Sequence, residues 1–334
     1  MLDSSKLNEA VSHAALADRS DRSRIEITGP DRAGFLHNLT TNEIKRLEAG
    51  RGCEAFVTSP QGKTIGYLIA LVCRQRIIAR TDPGGAVAVL PHLQKYGVFD
   101  DVTIVDQTPS TFEIHLVGPD APRLVERAGG ALPDEVEYAH VTTELEGCPV
   151  RVVRESPTPV PGLTIIGEKE SVGSVMELLR WHGHEQGVAT IDPAGFELLR
   201  IEAGTPVFGK DITEKNLPQE IGRDARTISF VKGCYLGQET VARLDALGHV
   251  NQILKGLLFQ HPSPVPEPGM PLEDEGKRVG VLTSVAFSPS LGAPVALGFV
   301  RTTHATAGTS ALVKLRDDTS ITATVADLPM SVRG

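Results

Sequence analysis

The chain has 334 residues, of which 40% are apolar and 22% are charged, as in an ordinary globular protein of two or three domains. Its formal net charge of −9 argues against direct nucleic-acid binding, because a basic face supplies most of that affinity. No apolar run reaches the roughly 18 residues of a membrane span, and no leader-like segment is visible. We therefore expect a cytoplasmic protein with no membrane partner.

The four cysteines are widely spaced and form no Cys-X-X-Cys pair: Cys53, Cys73, Cys148 and Cys234. This spacing is typical of reduced thiols in a cytosolic protein, not of a disulfide framework or a zinc knuckle. The closest histidines, His182 and His184, have no cysteine beside them. We expect no metal site.

A strand, a Gly-Pro-Asp break and a helix occur twice in the chain. We interpret residues 1–22 as a polar N-terminal arm. The stretch IEITGPDRAGFL, from Ile25, then matches IHLVGPDAPRLV, from Ile114. In the first copy Asp31 is placed to cap the helix that follows. We therefore predict two α+β halves of similar design packed as a duplicated unit.

The duplicated unit covers residues 23–250, with halves of about 23–105 and 106–250. Period-two and helical patterns predict strands at 53–58, 64–72, 76–80, 150–153 and 163–166, and helices at 86–96 and 170–181. The stretch QGKT at 61–64 lacks the earlier glycine of a phosphate loop, since that position is Val57. It predicts a hairpin turn.

A further helix begins after Asp192, which can cap it, with Pro193 at the first helical position. It leads into LRIEAGTPVFGKDI, residues 199–212. Glu202 lies there among apolar and small residues. A buried carboxylate is costly unless it is paired or bound to a donor, so either a salt bridge or a ligand contact is expected.

The stretch FVKGCYLGQE, residues 230–239, contains Cys234, the cysteine whose neighbours most favour reactivity. Lys232 lies two residues before Cys234, and a nearby ammonium favours the thiolate. Residues 228–231 read as a strand entering the loop, and Glu239 starts a helical pattern. The alternative is a structural cysteine buried in a tight turn, and the residue types alone leave both open.

The pattern changes near residue 250. Short alternating runs at 253–259, 278–286, 295–300, 310–315 and 321–325 are separated by turns that contain glycine or proline. Regularly spaced short strands predict a small antiparallel barrel. We assign residues 251–334 to this C-terminal β-barrel domain.

Three motifs in this order and spacing resemble the YgfZ family of folate-binding proteins, which are relatives of the glycine-cleavage T-protein: LRIEAGTPVFGKDI, LPQE at 217–220 and KGCYLGQE. The resemblance covers about residues 23–328. It implies a three-lobed ring that binds tetrahydrofolate, or a one-carbon derivative, near its centre. It also implies a role in assembling or repairing iron–sulfur clusters in client enzymes, including those that thiomethylate tRNA.

The resemblance also implies roles for individual residues. Cys234 would be the reactive residue, assisted by Lys232. Glu202 matches the glutamate that contacts the pterin in T-proteins. The remaining residues of the signature are taken as cofactor-binding: Tyr235, Gln238 and Glu239.

One difference between this sequence and the T-proteins concerns the enzyme activity. T-proteins carry two aspartates after a glycine turn, and Gly66 and Tyr67 occupy those positions here. Transfer chemistry depends on such fixed charges, so this departure argues against a functional aminomethyltransferase. Three functions stay open: iron–sulfur maintenance, one-carbon transfer of the T-protein class, and a pterin-binding module whose cysteine is structural.

Overall fold

The computed structural model describes residues 7, 12–183, 188–248, 250–316 and 319–330. His184 and most of the first eleven residues lie outside these ranges. None of the helices in the described ranges is long and apolar enough to span a membrane.

The strands and helices are numbered in chain order. The strands are β1 (Ala15–Asp18), β2 (Arg22–Thr28), β3 (Arg51–Thr58), β4 (Thr64–Val72), β5 (Arg76–Pro83), β6 (Thr103–Asp106), β7 (Thr111–Val117), β8 (His140–Leu145), β9 (Cys148–Arg154), β10 (Gly162–Glu168), β11 (Ala189–Ile191), β12 (Gln252–Phe259), β13 (Pro271–Asp274), β14 (Lys277–Ser288), β15 (Ala293–Arg301), β16 (Ser310–Lys314) and β17 (Ser320–Ala326). The α-helices are α1 (Arg32–Leu39), α2 (Ala86–Tyr96), α3 (Ala121–Arg127), α4 (Val172–His182), α5 (Pro193–Ala203), α6 (Asp224–Thr227) and α7 (Gln238–Leu247).

The first α+β half is a sheet in the order β3-β4-β5-β2-β6 with α1 and α2 packed on it. Phe35 and Leu36 of α1 and Val89 of α2 are buried in the core of this half. Asp31 occupies the N-cap position of α1, as predicted, but its side chain makes no capping hydrogen bond to that helix. Its Oδ2 instead accepts a hydrogen bond from the backbone N–H of Asp101 at 2.9 Å, which ties the turn to the loop before β6.

The second half is a sheet in the order β11-β1-β7-β10-β9-β8 with α3 and α4. Its β7 and α3 repeat the strand–break–helix pattern of β2 and α1. Residues 15–18, which we expected in an N-terminal arm, form β1 inside this sheet. That strand pairs antiparallel with β7 and parallel with β11, since its two alanines and one leucine leave it fully apolar except at Asp18.

The C-terminal domain is a closed barrel in the order β12-β15-β14-β13-β16-β17. The predicted α+β fold with a C-terminal antiparallel barrel is confirmed. The short strand β13 was missed, because its sequence, PLED, follows a proline-rich loop and has no alternation.

A single buried apolar cluster joins the three lobes. It contains Phe56 of the first half, Val117 of the second, Leu199 of α5, and Leu254 and Phe299 of the barrel. The helix α5 therefore lies at the centre, where residues from each lobe meet.

Candidate functional site

Three cavities with shared lining residues run through the centre of the molecule, and we call them together the central channel. The wide mouth, of about 790 Å³, shares Arg19, Phe196 and Glu197 with a narrow middle section of about 50 Å³. The middle section shares Thr205 and Arg223 with a second mouth of about 540 Å³. Ligand pockets for small molecules measure about 300–1,000 Å³, so the mouths are large enough for a ligand and the middle section is not.

Helix α5 supplies charge to the channel. Asp192 caps it by accepting a hydrogen bond from the Gly195 N–H at 2.7 Å, as predicted. Glu197 and Arg200 are three residues apart and so lie on one face. Arg200 donates through Nε to Glu197 Oε2 at 3.1 Å and through Nη1 to buried Asp211 at 2.5 Å. Burial opposes the charge of Glu197, but hydrogen bonds from Arg200 hold the pKa of that carboxyl below its ordinary value.

Aromatic side chains form part of the channel wall. Arg19 lies 4.0 Å from the ring centroid of Phe196, a cation–π contact at the wide mouth. Tyr67 and Tyr138 line the middle section, and both hydroxyl groups donate to the carboxylate of Glu54. Arg223 also donates to both oxygens of Glu54, at 3.0 and 2.8 Å. These contacts fix the wall of the narrow section.

A buried carboxylate, Asp82, also lines the middle section. Burial raises the pKa of this carboxyl, against the opposing effect of Arg22, whose Nη2 lies 3.7 Å from Oδ1. Its other oxygen accepts a hydrogen bond from the Phe208 N–H at 2.7 Å. Asp82 therefore releases its proton less readily than an ordinary aspartate, which suits a group that exchanges protons.

Glu202, the predicted pterin contact, lies on a different side of α5 from Glu197. It follows Glu197 by five residues, or about 140° around a helix of 3.6 residues per turn. Its side chain is fully buried, and Ser288 of the barrel donates a hydrogen bond to it at 3.1 Å. It is not among the residues that line the channel. Glu202 therefore joins α5 to the barrel, and the expected pterin contact is not supported by this geometry.

Lys232 acts as a buried clamp. Its ammonium donates to the carbonyl oxygens of His37, Thr40 and Asn42 at 2.6, 2.6 and 2.8 Å, which closes the C-terminal end of α1. Burial lowers the pKa of Lys232 to about 8, with the Glu43 carboxylate acting in the opposite direction. All three ammonium hydrogens have acceptors. The expected action of Lys232 on the Cys234 thiol is thus not supported.

The loop around Lys232 is fastened to the first half by its backbone. Gly237 has φ +83°, and a Cβ there would lie 2.3 Å from the Ser59 carbonyl oxygen. The Leu236 N–H donates to the Asn38 carbonyl at 2.9 Å. Tyr235 is buried beneath the Lys232 ammonium, 4.7 Å from the ring centroid. Most of the motif therefore has a structural explanation.

Cys234 is exposed, whereas the other three cysteines are half-buried. It lies in the loop before α7, which begins at Gln238, and Glu239 is exposed on the first turn of that helix. The strand predicted at 228–231 is wrong: these residues form a coil and a turn, and Val231 is 93% exposed. The channel is lined by none of the residues 230–239. The structure thus separates the thiol from the channel, and cofactor contacts there by Tyr235, Gln238 and Glu239 are not supported.

The two positions that depart from the T-protein aspartates are closely packed. A Cβ on Gly66 would lie 2.4 Å from a methyl carbon of Val89, so a carboxylate would not fit without movement. Tyr67 directs its hydroxyl at Glu54. In the described ranges, no group of three or more His, Cys, Asp or Glu residues is placed to hold a metal ion.

Comparisons with known proteins agree with this architecture. A family model described as the GCVT N-terminal domain matches residues 5–231, and one described as the glycine cleavage T-protein C-terminal barrel domain matches residues 253–331. The chain is 31% identical over 300 residues to a chloroplastic "putative transferase" of Arabidopsis thaliana, covering 89% of this chain and 68% of that protein.

Further similarity is to proteins named aminomethyltransferase. That of Streptomyces avermitilis is 28% identical over 305 residues, which cover 90% of this chain and 81% of the relative. The crystal structure of the glycine cleavage system aminomethyltransferase T from Bartonella henselae superposes with a TM-score of 0.85 at 24% identity. It covers 97% of this chain and 88% of the other, and so has the same fold.

Proposed function

The chain belongs to the glycine cleavage T-protein family, and from this we propose that it binds tetrahydrofolate, or a one-carbon derivative, in the central channel. The observation that carries the proposal is the wide mouth, where two aromatic rings, three carboxylates and two cations meet. A reduced folate presents the complementary groups: a flat ring with N–H donors at one end and carboxylates at the other.

The residues of the wide mouth fit such a ligand. Phe196 and Phe208 offer apolar surface to a flat ring. Glu197 is held ionised and accepts hydrogen bonds from paired N–H donors. Arg19 lies over the Phe196 ring, and Lys210 pairs with Glu197 at 3.1 Å. Both cations therefore lie beside the groups that would hold the ring, and they supply positive charge to an anionic ligand. A volume of about 790 Å³ is in the range of sites for ligands of this size.

The first candidate activity is folate-dependent one-carbon transfer of the aminomethyltransferase type. The names of the relatives favour this activity, whereas Gly66 and Tyr67 at the aspartate positions argue against it. The folate would carry the one-carbon unit. The protein would supply orientation through Glu197 and Arg200, and Asp82 would hold or accept a proton beside the channel. With Gly66 and Tyr67 at the aspartate positions, Asp82 is the carboxylate we assign to that role.

The second candidate is the function that the YgfZ resemblance implies: support of iron–sulfur enzymes, including those that modify tRNA, with Cys234 as the reactive residue. The observation that favours it is the exposure of Cys234 on a loop outside the channel. A thiol there is accessible to a client protein while folate occupies the channel. In this function folate binding and thiol chemistry take place at separate sites.

One experiment distinguishes the candidates. Tetrahydrofolate binding is first measured by calorimetry under anaerobic conditions. Methylenetetrahydrofolate formation from an aminomethyl-loaded carrier protein is then compared between wild type, Asp82→Asn and Cys234→Ser. One-carbon transfer predicts turnover on the order of 1 per second that Asp82→Asn slows and Cys234→Ser leaves unchanged. Folate binding without turnover, with iron–sulfur enzyme activity in the host lost only in Cys234→Ser, supports the second. No folate binding refutes both.

A further inference from the structure

A second cavity, of about 460 Å³, lies along the seam between the two sheets, and we call it the seam groove. In the described ranges it shares no lining residue with the channel. A buried apolar cluster separates the two, since Ile69 and Tyr138 of that cluster line the channel while Ile78 and Ile166 line the groove. The groove is therefore a separate site.

Arg151 lines the groove and has no carboxylate partner in the part of the chain that the structure describes. Its Nη1 lies 2.6 Å from Nδ1 of His140, and its Nε is buried without a hydrogen-bond partner. Within the described ranges no carboxylate lies within 4.0 Å of its guanidinium. Burial lowers the pKa of Arg151, and the neighbouring Arg76 adds to that effect. Arg151 is half-buried, and a partly buried cation without a counter-ion is costly, so an oxyanion would offset the cost.

His140 positions this guanidinium. Burial lowers the pKa of His140 to about 4, so the ring is neutral at pH 7 and its Nδ1 accepts from Arg151. Arg76 stands beside Arg151 on the groove wall. It pairs with Glu26 through Nη1 at 2.6 Å and is half exposed. Two adjacent guanidiniums provide the forked donors that bind phosphate and carboxylate groups.

The rest of the groove favours an organic body over a bare ion. Ile78, Val150 and Ile166 provide apolar surface beside the arginines. The groove is also lined by three glutamates: Glu26, Glu168 and Glu170. These carboxylates would repel a second anionic group. The lining thus fits a ligand with one anionic end and an apolar or amino-bearing body.

We propose that the seam groove binds a small organic oxyanion, a phosphate monoester or a carboxylate with a flat apolar body. Its anionic group lies on Arg76 and Arg151, and its body covers Ile78, Val150 and Ile166. The proposal is independent of folate binding in the channel.

The test is calorimetry on the full chain with four probes at fixed salt: adenosine monophosphate, benzoate, inorganic phosphate and adenosine. We expect an organic anion to bind at millimolar or lower concentration, and inorganic phosphate and adenosine to bind at least tenfold more weakly. Binding of adenosine monophosphate rather than benzoate identifies a phosphate ligand, and the reverse identifies a carboxylate. Arg151→Met and Arg76→Met should each weaken binding about 10-fold or more.

The matched control is Arg123→Met, since Arg123 is a surface arginine with 62% of its side chain exposed. It should bind the probe like wild type. The groove proposal is refuted if no organic anion binds at millimolar concentration. It is also refuted if Arg151→Met and Arg76→Met bind as tightly as Arg123→Met. Because Arg76 is half exposed, its variant stays informative even if Arg151→Met fails to fold.

Discussion

Replacing Lys232 with methionine should destabilise the protein and leave the thiol chemistry intact. The ammonium satisfies three carbonyl oxygens at the end of α1, and methionine fills the same space without a donor. A buried acceptor that loses its partner costs about 1–3 kcal/mol. At the lower limit, three unpaired carbonyl oxygens cost about 3 kcal/mol of unfolding free energy. Part of this cost is offset, because the variant no longer buries an ammonium group. The midpoint of thermal unfolding should then fall by roughly 5 °C or more.

The assay is thermal unfolding monitored by circular dichroism, with iodoacetamide labelling of Cys234 read by mass spectrometry on the same samples. Lys63→Met is the matched control, because Lys63 donates to one exposed carbonyl, that of Lys215, at 2.9 Å. Lys63→Met should leave the unfolding midpoint within about 1 °C of wild type. The structural role of Lys232 would be refuted if Lys232→Met were as stable as wild type while labelling of Cys234 slowed about tenfold. That result would restore a chemical role for Lys232.

Three further predictions concern other buried or exposed groups. Glu54→Gln should destabilise the protein by about 3 kcal/mol in urea unfolding, because the change breaks the ion pair between the fully buried Glu54 and the half-buried Arg223; a loss below about 0.5 kcal/mol would contradict this. Burial lowers the pKa of His115 to about 4, whereas the same histidine in the unfolded chain has its ordinary pKa of 6.5. As the pH falls, the unfolded chain therefore takes up the proton first. Stability from this group is complete above pH 6.5 and is lost towards pH 4, by roughly 3 kcal/mol; His115→Gln should flatten that dependence, and an unchanged slope would argue against it. Cys234 should alkylate fastest of the four cysteines and Cys53, whose pKa burial raises to about 12, more slowly; the reverse order in competitive labelling would show that exposure does not govern the rate.

The fold was readable from the sequence because the duplicated halves carry strong periodicity. The helix predicted at 86–96 and the strand at 64–72 have those bounds in the structure. The strand β1 was missed because residues 15–18 are too few to establish a period, and it forms only by pairing with β7 and β11. Tertiary pairing decides such short segments.

The candidate site was harder to predict, because the sequence does not show which way a side chain faces. Glu202 was correctly seen as a carboxylate in apolar surroundings, yet it faces the barrel. The sequence did contain one indication of the channel face of α5. Glu197 and Arg200 are three residues apart, and an acidic and a basic residue at that spacing pair on one face of a helix. Lys232 lies two residues before Cys234 in sequence, but its ammonium is bound by carbonyl oxygens at the end of α1.

The most direct test of the central claim is the affinity for tetrahydrofolate of wild type, Glu197→Gln and Glu202→Gln, measured by anaerobic calorimetry. The two variants make the same change on two different faces of α5, about 140° apart. The channel account predicts that Glu197→Gln weakens binding roughly 10- to 150-fold, the cost of a charge-assisted hydrogen-bond pair. It predicts that Glu202→Gln binds within about twofold of wild type. Loss of affinity in Glu202→Gln alone would contradict the account and place the pterin on the barrel side of α5.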